Sequence, residues 1–199
     1  MIGRALLLAV LLAGPAAAEG GKPAQTRVEV KGDRLHLSGD LDAATGGQVR
    51  AAIAAHPQIK ELVLGRIPGS VDLDRTLALG RWLRAHGLDT YLTDESAIFS
   101  GGVDLFLAGE ERRMEAGARI GVHAWSDASR EATDYVPTDR AHRASRSYVR
   151  DMLGSDDFYW FAIKAARASD LHPLTQEEIE RFGLLTAPVL NPETSKGAE

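Results

Sequence analysis

Ser100-Gly101-Gly102 leads into a run from Val103 to Ala108 that reads as apolar and stops at Gly109. The fold turns on this stretch. A strand-like segment precedes it, two glycines follow the serine directly, and the run has the length of a short buried helix. Glycine lets a backbone approach a ligand or another segment closely, and a helix start leaves amide N–H groups without intrahelical partners. Two readings of Ser100 fit. It is a turn serine that caps the helix, or a nucleophile whose developing oxyanion those amides would hold.

Working downstream, Arg119-Ile120-Gly121-Val122-His123 reads as a strand that ends in a histidine, 23 positions after Ser100. An imidazole at a strand end can point into a cleft, take the proton of a serine hydroxyl and return it to a leaving group. Read alone, His123 fits a structural or surface histidine better than a base. His36, His56, His86, His142 and His172 fall on strand, helix or loop surfaces. Ser96-Ala97 offers a second serine, but the distance to the Leu107-Ala108-Gly109 stop fits Ser100 better. Asp94-Glu95 reads as a solvated loop rather than an acid pair.

Upstream, Arg27 to Val30 and Arg34 to Ser38 alternate around Lys31-Gly32-Asp33 as a hairpin would. Helical spacing covers Ala43 to Ala55, and Glu61 to Leu64 is a short buried strand. Ile67-Pro68-Gly69-Ser70 forms a turn, and a helix from Asp72 to His86 closes at Gly87. Leu73, Leu77 and Gly80 share one face of that helix. Further strands fit Thr90 to Leu92 and Arg112 to Met114. Asp127 to Pro137 is polar and irregular. Thr138 to Leu153 and Asp156 to Ala168 read as helical, and Thr175 with Glu178 makes a capping box. Strands alternating with helices predict an α/β layer architecture in a single domain over 27–188.

Composition narrows the functions. In 199 residues the hydrophobic fraction is 44%, the charged fraction 26% and the formal net charge −5, with no basic stripe for a nucleic acid. The N-terminus carries Arg4, the apolar stretch Ala5 to Ala13, a break at Gly14-Pro15 and small residues at Ala16-Ala17-Ala18. This is the pattern of a cleaved signal peptide over 1–18, and the stretch has about half the length of a bilayer span. Residues 19–26 read as a flexible leader and 189–199 as a disordered tail. The chain is therefore expected outside the cytoplasm, periplasmic or secreted, with no membrane span after cleavage. It contains no cysteine, which excludes thiol catalysis, Cys-ligated metal and a lipoprotein anchor.

Several ordered pieces carry a family resemblance over Gly39 to Thr186. They are Ser38-Gly39-Asp40-Leu41 with its Ala-rich helix, Leu64 to Ser70, Ser100-Gly101-Gly102 with Phe106-Leu107-Ala108-Gly109, and Ile120-Gly121-Val122-His123. The last is Leu174 to Glu178 with Phe182-Gly183-Leu184-Leu185-Thr186. In this order they resemble the Clp-protease-like branch of the ClpP/crotonase superfamily, and within it exported bacterial relatives. The resemblance implies repeated β-β-α units and a serine peptidase or acyl hydrolase. Ser100 would be nucleophile and His123 general base, and amides of Gly101 and the Gly69-Ser70 turn would form the oxyanion hole. Asp170, 47 positions after His123, is the carboxylate nearest the place of the family's acid, where strict alignment puts Arg167. Pro68-Gly69-Ser70 stands where the family has Pro-Gly-Gly, and Arg66-Ile67 put bulk where it has a small polar pair. No metal or cofactor is implied. A peptide or protein substrate and a homo-oligomer are. The alternative is a catalytically lapsed domain that binds peptides or a partner protein through the same groove. A crotonase-type acyl-CoA enzyme ranks lowest, because a Ser/His pair does not belong to that chemistry.

Overall fold

The computed structural model describes residues 25–127 and 129–192. The expected signal peptide, the leader up to residue 24 and residues 193–199 lie outside them. Thr26, at the leader's end, is anchored: its hydroxyl bonds the Asp40 carbonyl and lies 2.8 Å from Thr45 Oγ1.

Two sheets share the strands. A hairpin of β1 (Arg27–Lys31) and β2 (Arg34–Ser38) opens the chain, turning at Gly32 with φ 61°. Helix α1 (Thr45–Ala55) follows. Then the chain repeats one pattern: a strand in the larger sheet, a strand in the smaller, and a helix. The first unit is β3 (Glu61–Leu64), β4 (Arg66–Ile67) and α2 (Leu73–Ala85). The second is β5 (Asp89–Leu92), β6 (Ala97–Phe99) and α3 (Gly101–Leu107). The third is β7 (Arg112–Met114) and β8 (Arg119–Val122), continued by α4 (Arg143–Leu153) and α5 (Asp157–Ala165). Edge strand β9 (His172–Pro173) and α6 (Gln176–Arg181) close the fold.

The larger sheet runs β1-β2-β3-β5-β7 and is parallel from β2 onward; the smaller runs β4-β6-β8-β9, parallel except for β9. All four residues of β3 are buried, the mark of a parallel strand covered on both faces. Most of the buried apolar side chains form one continuous cluster. Helix α4 closes on α2 at Gly80, where a Cβ would lie 2.0 Å from Tyr148 Oη, and that hydroxyl donates to the Asp104 carbonyl at 2.7 Å. Among the described residues no helix is long and apolar enough to cross a membrane.

The β-β-α repetition expected from the resemblance is present, with differences of detail. Strands β4 and β6, of two and three residues, are too short for a two-residue period to show in sequence. The helix expected from Thr138 begins at Arg143, because Asp139 captures the Ala141 amide at 2.9 Å and sets a 3-10 turn first. The helix expected to reach Ala168 ends at Ala165. Past Pro188 the chain is still paired: the Leu190 amide donates to Met114 O at 2.9 Å and the Ala116 amide to Leu190 O at 2.9 Å. The tail expected from residue 189 is therefore ordered at its start.

Candidate active site

Strands β4, β6 and β8 lie side by side and parallel, so their C-terminal ends meet at one edge of the smaller sheet. The carboxyl edge of parallel strands is where α/β folds place ligands. Gly69-Ser70 follow β4, Ser100 follows β6, and His123 follows β8.

Ser100 has φ 50° and ψ −122°, and among the described residues no other non-glycine has positive φ. Holding an L-residue there costs on the order of 1–3 kcal/mol. The conformation follows from two demands. The Ser100 amide still bonds Gly121 O at 3.3 Å as an extension of β6, while its carbonyl already accepts from the Val103 amide at 2.8 Å as the start of α3. A sharp turn between them throws the side chain outward, and the hydroxyl makes no hydrogen bond among the described residues. The turn-cap reading of Ser100 finds no support, since its side chain caps nothing.

The glycines set the spacing. A Cβ on Gly101 would lie 2.4 Å from Ser70 Cβ, one on Gly102 2.9 Å from Ile67 Cγ2, and one on Gly69 3.8 Å from Ser100 Cβ. The turn after β4 thus sits directly against the start of α3. It is pinned there, since the Leu41 amide donates to Gly69 O at 3.0 Å and the Val71 amide to Leu41 O at 2.9 Å. The Ser70 hydroxyl lies 2.7 Å from Thr76 Oγ1 and accepts from the Asp72 amide at 3.2 Å. With its side chain so engaged, the Ser70 backbone N–H stays free, as do those of Gly69 and Gly101 among the described residues. Ser70 needs no positive φ, although it replaces a glycine of the resembled motif. Ile67 does not crowd the cleft; it is fully buried beneath Gly102.

His123 and Ser100 line the same cavity, of about 90 Å³, without a hydrogen bond between them. His123 Nδ1 lies 2.7 Å from the Ala124 carbonyl oxygen. A carbonyl only accepts, so Nδ1 carries the hydrogen and Nε2 presents its lone pair, the tautomer a general base needs. Asp170 takes no part in that contact. Its backbone lies near, because His172 pairs with Val122 and the Ala124 amide donates to Ala166 O at 2.9 Å. The Asp170 side chain is exposed and forms no hydrogen bond with the imidazole.

Two residues, His142 and Asp104, were misread or missed in the sequence, whereas Ser96 was rightly set aside. Ser96, the second serine, is buried and donates to Leu64 O at 2.6 Å, a structural brace. His142 is fully buried rather than on a surface, ringed by Trp125, Tyr135, Tyr159 and Trp160. Tyr159 accepts from Trp125 Nε1 at 3.0 Å and reaches His142 Nδ1 at 2.6 Å, which stiffens the aromatic wall of the cavity. Asp104, inside the run that reads as apolar, also lines the cavity, and burial pushes its pKa up to about 7. Its four-residue spacing from Ser100 on one helix face was the available signal.

No family model matches the chain, and no curated protein matches it in sequence. Solved structures do match in shape. The 1510-N membrane-bound stomatin-specific protease aligns with TM-score 0.56 at 14% identity, over 81% of this chain and 79% of that one. The same protease in complex with a substrate peptide aligns with TM-score 0.52 at 14% identity, over 76% and 71%. An enoyl-CoA hydratase from Shewanella pealeana aligns with TM-score 0.53 at 12% identity, over 87% and 71%. The chain is a mixed α/β protein with the ClpP/crotonase fold.

Proposed function

We propose that this protein is an exported serine hydrolase that cleaves an acyl bond in a peptide or protein substrate. The observation that carries the reading is Ser100. It is an unbonded hydroxyl on a strained strand-to-helix turn, flanked by the free amides of Gly101 and Ser70 and sharing a cavity with His123. Ser100 Oγ attacks the substrate carbonyl while His123 Nε2 takes its proton. The Gly101 amide and an amide of the Gly69-Ser70 turn hold the oxyanion, and the imidazolium then protonates the leaving group. The Ala124 carbonyl fixes the tautomer of His123. Asp170, in the turn before β9, would reinforce the imidazolium if its exposed side chain turned toward His123. Export rests on the N-terminal pattern of residues 1–18, and assembly into a homo-oligomer on the resemblance. The peptide complex of the stomatin-specific protease supports a peptide as the ligand class.

The folded mature chain should be labelled at Ser100 by a fluorophosphonate. Ser100→Ala should abolish the label and His123→Ala slow it at least a hundredfold. Asp170→Asn should slow it about tenfold if the carboxylate reinforces the base. One observation favours a lapsed, peptide-binding domain instead, namely the exposed Asp170 without a bond to His123. Folded protein that resists labelling while binding peptide would establish that second reading and overturn the first.

A further inference from the structure

Asp104 lies one helical turn beyond Ser100 and opens onto the same cavity, whose other walls include Val103, Val149, Phe158 and Ala162. Its carboxylate forms no hydrogen bond or ion pair among the described residues, although its backbone carbonyl accepts from Tyr148. The nearby cations are committed elsewhere. Arg84 donates to the carbonyls of Leu107, Ala108 and Gly109 at 2.9–3.0 Å, and Arg81 pairs with Asp151 at 3.0 Å while covering the Tyr148 ring. His123, Tyr148 and Tyr159 are the other titratable groups around it, and none forms a hydrogen bond or ion pair with its carboxylate.

An acid in apolar surroundings without a counter-ion is costly to keep ionised. Burial pushes its pKa up to about 7, and the half-buried side chain lines the cavity. The cavity of about 90 Å³ has largely apolar walls, which suits a slim alkyl chain.

We propose that this cavity is the specificity pocket for the substrate side chain next to the scissile carbonyl, and that it takes an amino-alkyl group of lysine type with Asp104 as its counter-ion. Methylenes lie against Val103, Val149 and Ala162 while the ammonium meets the carboxylate. Anionic side chains are repelled, and neutral aliphatic ones leave the acid unpaired. The inference rests on Ser100 being the nucleophile, but pocket and nucleophile can be tested separately.

The test compares labelling rates of Ser100 by peptidyl diphenyl phosphonates that carry an aminobutyl, a butyl or a benzyl side chain. The aminobutyl probe should react about 10- to 100-fold faster than the butyl probe at pH 8, the worth of one buried charge-assisted pair. The preference should shrink below pH 6 as Asp104 takes up its proton. Asp104→Asn should bring the ratio of the two rates close to one, with a cooperative melt showing that the variant is folded. Equal rates in the wild type, with Ser100 labelled, overturn the pocket and leave the hydrolase standing. If no probe labels Ser100, the hydrolase falls and n-butylamine decides the pocket. A rise in Tm with n-butylamine at pH 8 in the wild type but not in Asp104→Asn supports it, and no rise overturns it.

Discussion

The two sheets treat their polar groups in opposite ways. In the larger sheet, most buried polar groups find partners within the protein, although Arg113 Nε makes no hydrogen bond. Glu61, on β3, is paired with Arg34 of β2 at 2.9 Å and with Arg113 of β7. Tyr91 donates to Glu115 at 2.6 Å, and Thr90 to Phe106 O at 2.7 Å. At the carboxyl edge of the smaller sheet the opposite holds. The Ser100 hydroxyl, the Ser70 and Gly101 amides, His123 Nε2 and the Asp104 carboxylate all stand open together, beside a backbone held at positive φ. Folds that satisfy their polar groups elsewhere leave them open where a ligand is to supply the partner.

Glycine substitutions should break the comparison most sharply. Gly101→Ala puts a Cβ 2.4 Å from Ser70 Cβ and drives apart the two proposed oxyanion donors. Labelling of Ser100 should fall about a hundredfold to a thousandfold, while urea unfolding shows a loss of only about 1–3 kcal/mol. Gly109→Ala should do the reverse. Its Cβ would meet Glu111 O at 2.6 Å and the Thr90 amide nitrogen at 2.7 Å, both backbone atoms that cannot swing away. Stability should drop by about 3 kcal/mol, with the labelling rate per folded molecule unchanged. Matching losses in both variants, on both readouts, would erase the distinction between the sheets.

Asp104 sharpens the comparison through pH. Its folded pKa of about 7 lies above the ordinary carboxyl value, so between roughly pH 4 and 7 the native state keeps a proton that the unfolded chain has lost. Ionisation of the folded form is penalised, and the penalty grows through that window and levels off above it. Asp104→Asn should match the wild type in stability near pH 4 and exceed it by about 2–4 kcal/mol at pH 8. Asp42, Asp156 and Glu178, whose pKa values are lowered, act in the opposite sense and lose their stabilisation as pH falls. They are common to both proteins, so the difference between them isolates Asp104. A flat difference across pH 4–8 would show that the carboxylate is solvated.

How much of this was legible depended on how local the cause was. The hairpin at Gly32, the buried strand Glu61–Leu64, the helix start at Asp72 and the Thr175-Glu178 box are set within a few residues, and each formed where the pattern put it. The place of Ser100 in the fold was legible from the ordered motifs. Strand β4 was not, since two residues carry no period, and β6 showed only as a strand-like segment without bounds before Ser100. His142 was misplaced because the aromatic cage that buries it comes from Trp125, Tyr135, Tyr159 and Trp160, on separate elements. For Asp170, spacing gave a position beside His123 but could not give the direction of its side chain.

The smallest effect tests the departure most visible in the sequence, the serine that stands in a Pro-Gly-Gly place. The backbone of Ser70 needs no glycine, and its hydroxyl ties the turn to α2 through Thr76 and the Asp72 amide. Ser70→Gly removes that tie and leaves the buried Thr76 hydroxyl without its partner, at a cost of about 1–2 kcal/mol. The amide at position 70 stays, still pinned through Leu41 on either side. Thermal melts should therefore show a lower Tm, while fluorophosphonate labelling changes less than about threefold. A large loss of labelling would mean that the hydroxyl, rather than the backbone, is what the turn brings to Ser100.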